Sequence, residues 1–146
     1  MNSATHKDSA LAFDFGEQRI GVAFANRVID SAIALQTLSA DNTEAINQAI
    51  AALIKEWKPD TLVIGVPYNI DGTESRLSGL AADFGERLGK QYSLPVEHVD
   101  ERLTSMEARM TLTEQRRTGQ RRRRIRREDI DSLSAKLIAE TWLHEN

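Results

Sequence analysis

The chain has no cysteine. That excludes a disulfide framework, cysteine zinc sites and thiol catalysis, and it fits a reducing cytoplasm. Its three histidines, His6, His98 and His144, are scattered, so there is no local histidine cluster for zinc. A metal site in this chain would be built mainly from carboxylates and would suit a hard ion such as Mg2+ or Mn2+. Aromatic residues make up only 5% of the sequence, too few for a stacking face along a single nucleic-acid strand. Trp57 and Trp142 fall on helical apolar stripes and read as core residues. No apolar run approaches the roughly 20 residues of a membrane helix. The opening MNSATHKDSALAFDFG lacks the long apolar stretch of a secretory signal. A cytoplasmic protein with no membrane partner is the expectation. Neither G-x-S-x-G nor H-E-x-x-H occurs, so serine-hydrolase and zinc-protease chemistry lack their usual frames.

What is present is a globular balance, 40% apolar and 28% charged over 146 residues. It fits a single domain spanning 1–146 with one real core, and a frayed extension over residues 1–9. The net charge of −3 hides an uneven distribution. The segment RRTGQRRRRIRR carries Arg116, Arg117, Arg121, Arg122, Arg123, Arg124, Arg126 and Arg127 and no acid. Without it, 11 basic residues face 22 acidic ones. An acidic body with one arginine strip is not a general polyanion binder. The strip reads either as a flexible arm that neutralises phosphates or as a solvated loop that offsets the acidic body. Arginine without lysine favours phosphate, because the guanidinium fork pairs it bidentately. Gly119 argues against one continuous helix there.

The apolar pattern predicts strands over Ala10–Phe15, Arg19–Ala25 and Val28–Leu38, the last two joined by a two-residue turn at Asn26-Arg27. Asp41 to Glu44 signals the start of a helix running to Trp57, with Ile46, Ile50, Leu53, Ile54 and Trp57 on one face. Thr61–Val66 is apolar throughout, as a central strand covered on both faces would be. A loop over 67–73 leads to a helix from about Glu74 to Tyr92, striped by Leu77, Leu80, Ala81, Phe84 and Leu88. A strand over Leu94–Val99, a helix from near Thr104 and a last helix capped by Asp129 complete the chain. The last helix shows Ile130, Leu133, Leu137, Ile138 and Leu143 as its stripe. Three hairpin-joined strands followed by two reached through helices call for a mixed α/β sheet. In it the first three strands are antiparallel and the others parallel to strand one.

Four acids stand where such a sheet could bring them together. Asp14 interrupts an apolar strand, which is costly unless the acid is paired, hydrogen-bonded or metal-bound. Asp100 and Glu101 follow the last strand, where they could equally cap a helix or pair with Arg102. Asp131 lies in the first turn of the final helix, where the helix dipole favours an acid in any case. Sites in parallel α/β sheets form at the C-terminal strand ends. Three carboxylates meeting there would hold one or two Mg2+ ions able to stabilise the entering and leaving oxygens of a phosphodiester. The loop with Gly65-Val66-Pro67, Asn69 and Asp71-Gly72-Thr73 reads as a substrate-facing turn. Arg19 reads either as a phosphate contact or as a partner of Glu17.

Taken together, the motifs are Asp14-Phe15-Gly16 with Arg19-Ile20-Gly21-Val22-Ala23, then Gly65-Val66-Pro67 with Asp71-Gly72-Thr73. They continue with Asp100-Glu101-Arg102-Leu103-Thr104 and Ala108, and end with Ile130-Asp131-Ser132-Leu133-Ser134-Ala135. This set resembles the YqgF-type family of pre-16S rRNA nucleases, also described as Holliday junction resolvases, over about Leu11 to Leu143. The resemblance implies an RNase H-like five-stranded fold and Mg2+- or Mn2+-dependent phosphodiester hydrolysis. Asp14, the Asp100-Glu101 pair and Asp131 would be catalytic. By analogy with the resolvase pattern, Asp14, Glu101 and Asp131 would be the metal ligands. Arg19, Asn69, Arg102 and the arginines of 116–127 would meet nucleic acid.

The implied function is 5′-end processing of pre-16S rRNA on ribosomal precursor particles. The alternatives are a Holliday junction resolvase on branched DNA, which would work as a homodimer rather than a monomer, and a non-catalytic nucleic-acid-binding factor. A sugar-kinase-like ATPase, which also opens on D-x-G, needs two such domains and so is disfavoured by length.

Overall fold

The computed structural model describes residues 7–101, 114, 115, 117 and 127–145. Within these the order is β1 (Ser9–Phe15), β2 (Arg19–Asn26), β3 (Ser31–Ser39), α1 (Thr43–Trp57), β4 (Thr61–Val66), α2 (Arg76–Tyr92), β5 (Val96–Asp100) and α3 (Arg127–His144). The strands form one sheet in the order β3-β2-β1-β4-β5. β1 to β3 pair antiparallel, while β4 pairs parallel to β1 and β5 parallel to β4. This is the mixed five-stranded sheet expected from the sequence. The helix expected near Thr104, Arg102, and the strip residues Arg116, Arg121 to Arg124 and Arg126 lie outside the described residues.

The two faces of the sheet carry different side chains because strand residues alternate. On one face Leu11, Phe13, Ile20, Val22, Leu62 and Ile64 meet Ile50 and Leu53 of α1 and Ala81, Phe84 and Leu88 of α2. Phe84 anchors this layer, edge-on to Phe13 with ring centres 5.6 Å apart and tilted against Phe15 at 5.0 Å. The other face is paved with Ala10, Ala12, Ala23 and Ala25. Methyl-sized side chains let a helix backbone come close, and α3 lies there on Ala135, Ile138, Ala139 and Trp142.

That paving explains the clearest difference from the sequence pattern. Of the expected stripe on the last helix, only Ile138 is fully buried; Ile130, Leu133, Leu137 and Leu143 are half-buried. A face made of alanines selects the small side of the helix, so large side chains do not mark the buried stripe here. Trp142 fills the far end, donating from Nε1 to Glu97 Oε2 at 3.1 Å under the guanidinium of Arg27, which stacks 3.8 Å from the ring centre. Arg27 also donates to the carbonyls of Trp142 and Glu145, fixing the β2–β3 hairpin to the C-terminal turn of α3.

Other boundaries shift for local reasons. The hairpin turn occupies residues 27–30 rather than Asn26-Arg27, and β3 starts at Ser31, not Val28. Asp30 takes a left-handed backbone, φ 48°, which leaves Val28 and Ile29 exposed at the tip despite their strand propensity. Asn42 is the cap of α1, accepting from Ala45 N–H. Ser75 caps α2 in a reciprocal capping box with Ser78, so that helix starts after Glu74. β5 begins at Val96 and takes in Asp100. α3 begins at Arg127, which puts Asp129 inside its first turn instead of at its cap and carries Asp131 past the first turn, where it was expected. Ser9 belongs to β1 rather than to a frayed extension. The carboxylate of Asp60 accepts from the N–H groups of Asp8 and Ser9.

Candidate active site

β1, β4 and β5 run parallel, and their C-terminal ends, at Phe15, Val66 and Asp100, lie along one edge of the sheet. Asp14 is the penultimate residue of β1, on the face that packs α3. In both neighbouring strands the residue beside it is a glycine: Gly21 of β2 and Gly65 of β4. A Cβ on Gly65 would stand 2.6 Å from Glu101 Oε2 and 2.3 Å from Ile138 Cδ1. A Cβ on Gly21 would stand 2.3 Å from the backbone oxygen of Asp131. The two glycines therefore clear the space into which Glu101 and the start of α3 enter beside Asp14. An isolated glycine within an apolar strand is the sequence signal for such a close approach.

Glu101 is only 6% exposed, and its N–H donates to Val66 O at 3.2 Å, which holds the residue at the strand ends. Asp100, its neighbour, is exposed on the opposite side of the strand. The acidic pair thus divides in burial: Glu101 is enclosed beside Asp14, and Asp100 is exposed with its charge still acting on Glu101. Burial pushes the Asp14 carboxyl up to about 6, against the hydrogen bond with Glu101 and together with the charge of Asp131. Burial, then the charge of Asp14 and the contact with it, and then the charge of Asp100, push Glu101 up to about 10. Burial and the repulsion between the two carboxylates thus favour one proton held by the pair, in the hydrogen bond between Glu101 and Asp14.

Glu101 Oε2 and Ser134 Oγ are the buried side-chain oxygens without a hydrogen-bond partner among the described residues. Two carboxylates in contact, one with an oxygen that no donor among the described residues reaches, form a donor set suited to a hard divalent cation. Such an ion would satisfy that oxygen and remove the repulsion now relieved by a proton.

Asp131 stands at the start of α3, close enough for its charge to act on Asp14. Its Oδ2 accepts from Arg19 Nε at 2.8 Å. Among the described residues no three acids or histidines are grouped as a ready set of metal ligands. The structure brings Asp14 and Glu101 into contact and places Asp131 beside them, held by Arg19. Glu17, the other partner considered for Arg19, is taken by Arg76, whose Nη1 and Nη2 donate to its two carboxylate oxygens at 2.6 and 3.1 Å. That hydrogen-bonded contact holds Glu17 below the usual carboxylate range.

In the 67–75 loop Asn69 donates from its amide to Thr73 Oγ1 and Glu74 O, and Asp71 accepts from Thr73, so the loop braces itself. Arg117 is exposed and paired with Glu114.

The family model described as "RuvX: Holliday junction resolvase" matches residues 8–145. The chain belongs to the RuvX family. Curated relatives carry the name "Putative pre-16S rRNA nuclease". The one from Dechloromonas aromatica is 42% identical over 92% of this chain and 89% of its own. The one from Saccharophagus degradans is 40% identical over 93% of each. Among solved structures the chain resembles the yeast mitochondrial Holliday junction resolvase Ydc2, with TM-score 0.57 and 12% identity over 92% of this chain and 77% of that one. It also resembles Thermus thermophilus RuvC in complex with a Holliday junction substrate, with TM-score 0.55 and 12% identity over 91% and 92%. These likenesses establish the RNase H-like, resolvase-type fold of this RuvX-family chain.

The glycine gap gives a direct test of how the site is assembled. Gly21→Ala forces the new methyl against a backbone carbonyl, which cannot swing aside as a side chain could. A destabilisation of about 2–3 kcal/mol is expected in urea unfolding. Gly79→Ala, on an open helix surface with nothing within 4 Å, should be neutral or slightly stabilising. Equal stabilities for the two variants would show that α3 does not rest on Gly21.

Proposed function

We propose that this RuvX-family chain is a divalent-metal-dependent endonuclease whose principal substrate is the 5′ region of the 16S rRNA precursor. The observation that carries the proposal is the Asp14–Glu101 carboxylate contact at the sheet edge, with the buried Glu101 Oε2 lacking a donor among the described residues. Asp14, Glu101 and Asp131 would hold Mg2+ or Mn2+. When bound, the ion supplies Lewis-acid stabilisation of the attacked phosphodiester and of its leaving oxygen. The Asp14–Glu101 pair would have to give up the proton it holds for the set to charge fully and take the ion. Arg19, Arg102, Asn69 and the arginines of 116–127 meet the phosphate backbone. The arginine strip supplies the longer-range attraction that an acidic body would otherwise oppose.

Precursor rRNA is preferred because the relatives at 40–43% identity, spanning most of both chains, bear that name. The resolvases are related at 12%. Precursor rRNA also places the protein in the cytoplasm, on ribosomal precursor particles, where one active site per cut suffices and a monomer can act. The second reading, cleavage of a four-way DNA junction, rests on the family description and requires two active sites in a dimer.

The test is cleavage of a 16S precursor fragment carrying its unprocessed 5′ end, run beside a mobile four-way DNA junction, with Mn2+, Mg2+ or EDTA. Metal-dependent cutting of the RNA and not the junction is expected. The reverse pattern establishes the resolvase reading, and no cutting of either leaves a binding factor. In equilibrium binding of the same RNA in EDTA, Arg121→Ala, Arg122→Ala, Arg123→Ala and Arg124→Ala combined should lower the slope of log affinity against log salt by about 3. An unchanged slope means these four side chains do not meet phosphate.

A further inference from the structure

The Arg19–Asp131 contact ties two residues to which the proposed chemistry gives opposite duties. Asp131 belongs to a cation, and Arg19 to a phosphate. In the structure each has the other: Nε donates to Oδ2 at 2.8 Å, with side chains 28% and 22% exposed. The pairing spans 112 positions in sequence and joins the first residue of β2 to the start of α3. Among the described residues Nε is the nitrogen of Arg19 that finds a protein acceptor, so the terminal nitrogens remain available to a further anion.

There is space on both sides of the contact. A cavity of about 300 Å3 is lined by Gly16, Glu17, Gln18, Arg19, Leu77 and Asp131. A second, about 460 Å3 and mostly polar, is lined by Gln18, Arg19, Thr37, Ser39 and Asp41. Arg19 borders both, so its guanidinium can leave Asp131 without entering the core. Glu17 does not compete for it, being held by both terminal nitrogens of Arg76.

We infer that Arg19 is an exchangeable counter-ion. It neutralises Asp131 in the free protein, and it transfers to a backbone phosphate of the bound strand when a divalent cation takes the Asp131 carboxylate. This rests on the metal-dependent reading above and adds to it a coupling between the two ligands. With no cation, a phosphate drawing Arg19 away leaves Asp131 bare beside Asp14 and next to a second anion. With no strand, a cation drawing Asp131 away leaves Arg19 bare beside the new positive charge. Each ligand removes the other's penalty, so each raises the other's affinity by the same factor, as linkage requires. A guanidinium suits the exchange because its fork pairs a carboxylate or a phosphate with similar geometry.

The experiment is a double-substitution cycle read by Mn2+ binding, using paramagnetic resonance of free Mn2+, on wild type, Arg19→Gln, Asp131→Asn and the double variant. Thermal melting of each confirms the fold. Arg19→Gln should bind Mn2+ about three- to tenfold more tightly than wild type, because a partly exposed ion pair no longer competes. In the Asp131→Asn background the same change should bring little or no gain. A non-cleavable phosphorothioate RNA strand should tighten Mn2+ binding to wild type, and Arg19→Gln should lose most of that effect. If Arg19→Gln melts early, the uncharged Arg19→Met takes its place and should show a gain that again depends on Asp131.

Unchanged or weaker Mn2+ binding in Arg19→Gln overturns the inference while leaving the metal site standing, provided wild type binds. A gain of equal size with and without Asp131 also overturns it, since any nearby positive charge would then account for the effect. Absence of Mn2+ binding in all four proteins removes the metal reading and the inference together.

Discussion

Glu101→Gln is expected to leave metal-dependent cleavage at least about a thousandfold below wild type, and yet to give a more stable protein at neutral pH in the absence of metal. The activity is lost because an amide is a poor ligand for a hard cation and cannot be deprotonated. The stability is gained because glutamine supplies permanently what wild type must take from solvent. Glu101 has an ordinary value of 4.5, raised by burial and by Asp14 to about 10 in the folded state. Between those limits the folded protein binds a proton that the unfolded chain releases, so wild-type stability falls as pH rises through the window. Holding that proton at pH 7 costs about 3 kcal/mol, and the variant should exceed wild type by that order. The gap should narrow toward pH 5, close below 4.5 where both states are protonated, and widen toward pH 9. Urea unfolding in EDTA at pH 5, 7 and 9 measures it. Saturating Mg2+ should restore stability to wild type and not to the variant. A wild-type stability that does not change over this range would mean that the carboxyl is solvated and the site is not poised for a cation.

The second large effect separates cutting from binding. Asp131→Asn keeps the shape of the residue at the start of α3 and can still accept from Arg19. Cleavage should fall by orders of magnitude with the lost ligand. Affinity for a non-cleavable strand in EDTA should stay level or rise, since a negative charge near phosphate has gone and the hold on Arg19 has weakened. Single-turnover cleavage and equilibrium binding on the same RNA give the two numbers. If Asp131 were only the ion-pair partner of Arg19, the variant would lose about 1 kcal/mol of stability or less and cut at the wild-type rate.

What the sequence disclosed and what it withheld follow from range. Asp14 was visible because a charge inside ALAFDF has no local explanation, and the sheet topology because hairpin and crossover lengths constrain it. Thr61–Val66 is apolar on both faces and is fully buried in the centre of the sheet. The pairing of Arg19 with Asp131 and of Glu17 with Arg76 was not legible, because both join distant parts of the chain and the nearer partner, Glu17 for Arg19, was equally sound by sequence. The buried face of α3 was misplaced because leucines outweigh alanines in any apolar pattern. Only the alanines of β1 and β2, across the interface, show that a small face is wanted. Val28 and Ile29 read as strand for the same reason: their propensity is real, but the left-handed turn at Asp30 decides.

Asp14 comes from the first strand of the sheet and Asp131 from the last helix of the fold, with the arginine strip made just before that helix. A ribosome translating this chain therefore completes the arginine-rich segment before it completes the carboxylate set. Until residues 127–144 have emerged and settled on the alanine face, Asp14 and Glu101 stand without Asp131, and one side of the sheet stays uncovered.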